Sequence, residues 1–110
     1  MRIPIPPGEE ILGTIGRVLS DQGVANGAIV SLIGMVLKCG VSTMQKDDAS
    51  NDIISEYSEA LELCGNGEIR DGLVHIHVVL GAQGNIAISG HLSWAITGNA
   101  STNAYILPLD

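Results

Sequence analysis

The run Leu73-Val74-His75-Ile76-His77-Val78-Val79-Leu80 sets imidazoles at alternate positions in an otherwise aliphatic segment. In an extended chain, residues i and i+2 share a face. His75 and His77 therefore project side by side, and Val74, Ile76 and Val78 point the other way. A polar face backed by an apolar one is the pattern of a half-buried strand and not of a helix. The segment Gly81-Ala82-Gln83-Gly84-Asn85 reads as a hairpin loop, and Ile86 to Ile96 as the returning strand. That strand carries His91, the last of the three histidines in the chain. Pairing about Gln83 sets His75 opposite His91 and His77 opposite Ser89. Directly opposed residues share a face, so all three imidazoles gather on one side of the hairpin.

The rest of the chain supplies a sheet and one helix. Arg2-Ile3-Pro4-Ile5 is a short extended segment that its prolines confine to an edge. Glu9 and Glu10 open a helix at its positive end. Its apolar face is Ile11, Leu12, Ile15, Val18 and Leu19, and Gly23 ends it. Gly13 and Gly16 weaken it, which suggests close packing against a sheet. Ala28 to Ile33 and Met35 to Val41 read as strands, with Gly34 as a bend or bulge between them. Gln45 to Asp52 reads as a polar surface loop, Ile53 to Cys64 as strand, Gly65-Asn66-Gly67 as a turn, Gly72 to Leu80 as the His-bearing strand, and Ala104 to Leu107 as the last strand. No internal repeat or low-complexity tract interrupts this order, and the length suits one domain over residues 1–110.

Composition narrows the partners. The chain has formal charge −7, and its five basic residues, Arg2, Arg17, Lys38, Lys46 and Arg70, are scattered. Duplex binding draws heavily on Lys and Arg contacts to phosphate, so this chain alone is a poor nucleic-acid binder. The simplest reading of the acidic surplus is solubility. A small chain, 45% hydrophobic and only 15% charged, leaves apolar surface exposed when alone, and a subunit interface is the usual cover. The N-terminus lacks the apolar core of a signal peptide, and the apolar stretch from Gly27 to Gly40 is too short and too interrupted to span a bilayer. A cytoplasmic protein without a membrane segment is therefore expected. Cys39 and Cys64 are then expected to be free thiols.

Three neutral imidazoles suit a divalent transition metal. Zinc takes such nitrogens and keeps a fourth position open when only three protein ligands bind it. With an open position it acidifies a water or polarises a carbonyl. The competing reading is three polar residues facing solvent or a subunit contact. No Ser-His-Asp or Cys-His arrangement competes, because the metal reading uses every histidine. No glycine-rich loop has phosphate-cradle spacing. Glu59 is a candidate acid–base group or partner of a ligand, against the plainer reading of a solvated carboxylate.

Pro7-Gly8-Glu9-Glu10-Ile11, Ile33-Gly34-Met35, Glu59 ahead of Leu63-Cys64-Gly65, His75-Ile76-His77, Gly84 and Gly90-His91-Leu92 together resemble the PPC (plants and prokaryotes conserved) domain, over about Arg2 to Leu109. The resemblance implies an α+β fold, a mixed and mainly antiparallel sheet with one flanking helix, similar to the acetolactate decarboxylase-like fold. It implies a homotrimer, and a metal, usually zinc, on His75, His77 and His91. The chain departs from the family pattern at Ser89-Gly90, where two glycines are common, and near Asn103-Ala104, where a Glu is usual. It also lacks the Arg-Gly-Arg-Pro segments with which plant members enter the minor groove. Two functions follow as expectations. One is a trimeric zinc domain acting on or sensing a small molecule, with catalysis left open. The other is an oligomerisation module linked to DNA or transcription through partners, without catalytic activity.

Overall fold

The computed structural model describes residues Met1–Asp110. The chain runs β1 (Arg2–Ile5), α1 (Ile11–Asp21), β2 (Gly27–Gln45), β3 (Asp48–Tyr57), β4 (Leu61–Arg70), β5 (Leu73–Ala82), β6 (Ile86–Thr97) and β7 (Thr102–Pro108). This is an α+β fold with one short helix. Every strand pairing is antiparallel, so the sheet is not mixed. No helix is long and apolar enough to cross a membrane.

The long strand β2 organises the sheet. Its first half lies between β7 and β4, and its second half between β6 and β3. The order β1-β7-β2-β4-β5-β6 therefore returns to β2 through β6 and closes a circuit of pairings. Gly34 is not the bend. Pairing with β4 runs straight through it, and the irregularities of β2 fall elsewhere, such as those between Ile29 and Leu32 against β4 and between Val36 and Lys38 against β6. A Cβ at Gly34 would collide with Thr102, whose Oγ1 accepts a hydrogen bond from the Met35 amide at 3.2 Å. The glycine is there so that two strands can approach.

Alternation along the strands fills the core. Ile76, Val78 and Leu80 of β5 are buried with Leu61, Leu63 and Ile69 of β4, Leu92 and Ala95 of β6, and Ile29, Leu32 and Val36 of β2. Helix α1 adds Ile11, Ile15 and Leu19, as its period requires, with Leu12 and Val18 at the margin. Glu10 caps it. One carboxylate oxygen accepts from the Gly13 amide at 2.8 Å, and the other from Leu12 at 3.1 Å and from Ala95 of β6 at 2.9 Å. Close packing does not explain the helix glycines: a Cβ at Gly16 would meet Val74 Cγ2 at 3.8 Å, an ordinary contact.

Three further expectations change. The polar stretch Gln45–Asp52 is not a loop but a tight turn and the start of β3, which pairs along β2 from Gln45↔Asp48 to Cys39↔Tyr57. Almost all of β3 is exposed, so no apolar alternation marked it. Ser58–Ala60 breaks the segment read as one strand from Ile53 to Cys64. Gly65-Asn66-Gly67 lies inside β4 and not at a turn. A Cβ at Gly67 would collide with the His75 carbonyl, and one at Gly65 would come within 2.6 Å of the His77 carbonyl. Those glycines let β4 lie close against the His-bearing strand. The turn is Asp71-Gly72, with φ of 50° and 81°, the left-handed pair that a two-residue hairpin needs.

Candidate metal centre

Strand β5 buries Ile76 and Val78 and exposes His75 and His77. The β5–β6 loop is Gln83-Gly84-Asn85, one residue later than the sequence suggested, so His77 pairs with His91 and Val79 with Ser89. The partner moved by two residues, which preserves the face. Pairing of β5 with β6 begins at His77↔His91, and His91 also pairs with Ser42 on β2. His91 thus sits where β6 passes from β5 to β2. Gly90 permits that approach, because a Cβ there would lie 2.6 Å from the Ser42 carbonyl oxygen.

The result is a cluster of all three histidines. Each offers a ligand atom, and these lie within 4.8 Å of one another. Ring centroids are 4.9 Å apart for His75–His77 and His75–His91, and 6.0 Å for His77–His91. The donor set is uniform, three imidazoles on two strands of one sheet, and it fits a divalent transition metal with open positions. His91 is half-buried. Burial holds its pKa below the ordinary histidine value, the charges of His75 and His77 push the same way, and Asp52 opposes them. An imidazole kept neutral is the form that ligates.

The cluster borders a depression of about 670 Å³ lined by Ser42, Thr43, Met44, Asp52, Val78 and Ser89 besides the histidines and Gly90. Besides the imidazoles, its polar side chains are three hydroxyls and one carboxylate, and no Lys or Arg lines it. Glu59 is absent from this lining. It lies in the break between β3 and β4, where its charge bears on the buried Cys39 thiol. The carboxylates near the histidines are Asp52 and Glu68. Glu68 sits opposite His75 in the β4–β5 ladder, with Oε1 4.0 Å from His75 Nδ1. Sequence reasoning missed both. The loop reading hid Asp52, and the misplaced turn hid Glu68. Pairing about Asp71-Gly72, a strong hairpin signal, would have set Glu68 against His75. Cys39 and Cys64 are free, as expected.

The fold is similar to several solved structures. A metal-containing protein from Archaeoglobus fulgidus is 27% identical, with TM-score 0.83, over 100% of this chain and 79% of that one. A plant- and prokaryote-conserved protein from Pyrococcus horikoshii is 21% identical, with TM-score 0.84, over 100% and 80%. A "putative dna binding protein" from Bacteroides thetaiotaomicron is 19% identical, with TM-score 0.85, over 99% and 78%. The likeness to a Staphylococcus aureus protein described as similar to alpha-acetolactate decarboxylase is weaker, with TM-score 0.65 at 11% identity over 100% of this chain and 52% of that one. No curated protein matches the sequence. The family profile of the Plants and Prokaryotes Conserved (PCC) domain matches residues 1–107, and the chain belongs to that family.

Proposed function

We propose that this domain binds one divalent transition metal per chain on His75, His77 and His91, and that the open side of the site receives a small molecule. Zinc is the expected ion, although imidazole also suits nickel and iron. The observation that carries this reading is the convergence of three ligand atoms within 4.8 Å at the edge of an open depression. The metal-containing relative from Archaeoglobus fulgidus supports it. When bound, the metal would supply Lewis-acid chemistry. The histidines would hold it, and Ser42, Ser89 and Asp52 would meet the ligand. The test is elemental analysis of untagged protein purified without chelator. Less than about a tenth of an equivalent of any transition metal, with no uptake when zinc is added, overturns the reading.

The proposal includes a homotrimer. Its support is uncovered apolar surface. Ile53 and Ile54 are neighbours on β3 and so face opposite ways, yet they are 50% and 59% exposed, and Met44 beside them is 64% exposed. Almost all of β3 is uncovered within one chain. The second reading, a DNA- or transcription-linked module, rests on the description of the Bacteroides thetaiotaomicron relative. The net charge of −7 weighs against direct DNA contact.

A further inference from the structure

We propose that Glu68 is a positioning residue for His75: its carboxylate accepts the Nδ1 proton, so that Nε2 is the atom His75 presents to the metal. The inference rests on the metal reading above and assigns a role to a residue outside the three ligands.

The argument starts from the turn. Asp71-Gly72 joins β4 to β5 in the left-handed conformation that fixes a two-residue hairpin. That turn is anchored. The Asn26 side chain accepts from the Asp71 amide at 3.0 Å, and the Ala25 carbonyl accepts from the Gly72 amide at 2.9 Å. The register that follows pairs Arg70 with Leu73, Ile69 with Val74, and Glu68 with His75. Gly67, beside Glu68, lets the backbones close up at the His75 carbonyl. Glu68 is thus held directly across from one imidazole by backbone geometry.

The side chains match this placement. Glu68 Oε1 lies 4.0 Å from Nδ1 of His75, and this is the nitrogen that faces it. The gap is ion-pair reach rather than a hydrogen bond, and closing it takes a side-chain rotation that two half-exposed positions leave room for. Arg70 also engages the carboxylate: its Nη2 donates to both Glu68 oxygens, at 3.0 and 3.2 Å. A histidine that ligates a metal commonly donates its other ring N–H to a carboxylate, which fixes tautomer and ring orientation. A free neutral histidine favours the opposite, Nε2–H form. Without Glu68, His75 would have to change tautomer before Nε2 could ligate.

Two measurements test this. Long-range nitrogen–proton NMR on metal-free protein, well above the ordinary histidine pKa of about 6.5, reads the tautomer of His75. The wild type should show Nδ1–H, Glu68→Ala should revert to Nε2–H, and Glu68→Gln should retain part of the Nδ1–H form because its amide oxygen still accepts. Titration with zinc alone should show affinity reduced about tenfold in Glu68→Ala, at the lower end of the range for such partners, and less in Glu68→Gln. Glu62→Gln removes the same charge from the same strand, opposite Gly81, and should change neither readout. The role is overturned by wild-type His75 in the Nε2–H form, by Glu68→Ala binding zinc as tightly as wild type, or by Glu68→Gln and Glu62→Gln losing affinity alike. In those cases the zinc site itself stands. Wild-type protein that takes up no zinc overturns the metal reading and Glu68's role in it together.

Discussion

Two neighbouring residues of β5 should separate fold from function. Ile76 is fully buried, between His75 and His77, whose side chains lie on the exposed face. Ile76→Ala removes a branched aliphatic side chain from a core that can collapse only partly around the gap. At ~0.8 kcal/mol per buried methylene the transfer loss is roughly 2.4 kcal/mol. A cavity contribution brings the total to about 3 to 4 kcal/mol, inside the usual range for such truncations. For a domain of this size that lowers Tm by roughly 12 to 16 °C, at ~4 °C per kcal/mol. His77→Ala deletes a side chain from the exposed face, where substitutions usually stay within about 0.5 kcal/mol. The assay is urea unfolding of metal-free protein at one fixed concentration, since any oligomer makes stability concentration-dependent. The metal assay should invert the ranking: His77→Ala loses most zinc uptake, while folded Ile76→Ala retains it. If metal-free His77→Ala is destabilised as much as Ile76→Ala, the imidazole belongs to the core or to an interface and the assignment of faces is wrong.

Sedimentation at micromolar concentration should show a homotrimer, and monomer alone would refute the reading of the uncovered β3 strand. The isolated chain should give no salt-sensitive gel shift with duplex DNA at physiological salt, given its charge of −7; a submicromolar shift would refute this. Zinc occupancy should fall with pH. Burial and the neighbouring histidines hold His91 below the ordinary value, so it stays neutral to lower pH than a free histidine, and loss should set in below about 6.5; loss that begins well above that pH would mean other groups are the ligands. Cys39 is fully buried, and its thiol pKa is raised by burial first and by Glu59 second, so alkylation of folded protein should spare it; rapid labelling of Cys39 would contradict the core as described.

Much of this arrangement was readable because alternation is a strong signal where one face is buried. The β5 pattern set His75 and His77 on one side, and the following hairpin brought His91 to them. The error in its register was an even number of residues, which moves a partner along the strand without turning it over. An odd error would have sent His91 into the core face. The helix was legible for the same reason: its apolar period is intact, and Glu10 precedes it. What failed was the reading of exposed strand and of glycine. The first β3 residues, Asp48 to Asp52, are polar and face solvent, so their sequence resembles a loop. Glycine signals a turn when it supplies a left-handed φ, as Gly72 does at 81°. It gives the same signal when it only makes room, as Gly65 and Gly67 do against the His strand. The signal is the same for both uses, so Gly65-Asn66-Gly67 reads as a turn although the turn lies at Asp71-Gly72.

Those same glycines explain how exposed imidazoles can be held in place. A surface histidine ordinarily has no packing to fix its ring, and a site needs its first ligands held to about half an ångström by their surroundings. Here the constraint comes from the backbone. Gly67 brings β4 against the His75 carbonyl, Gly65 does so at His77, and Gly90 brings β6 against β2 beside His91. Each close approach fixes a Cα from which an imidazole projects, while Ile76, Val78 and Leu92 anchor the same strands from the buried side. The carboxylates then act on rings whose origins are already set, Glu68 on His75 and Asp52 on His91. A side chain at any of these glycines would push paired backbones apart and so disturb the site and the sheet together, whereas a lost aliphatic residue costs the core alone. The candidate site can therefore vary its exposed polar lining, at Thr43, Ser89 and Asp52, without reworking the core beneath it, whereas Ser42 is buried.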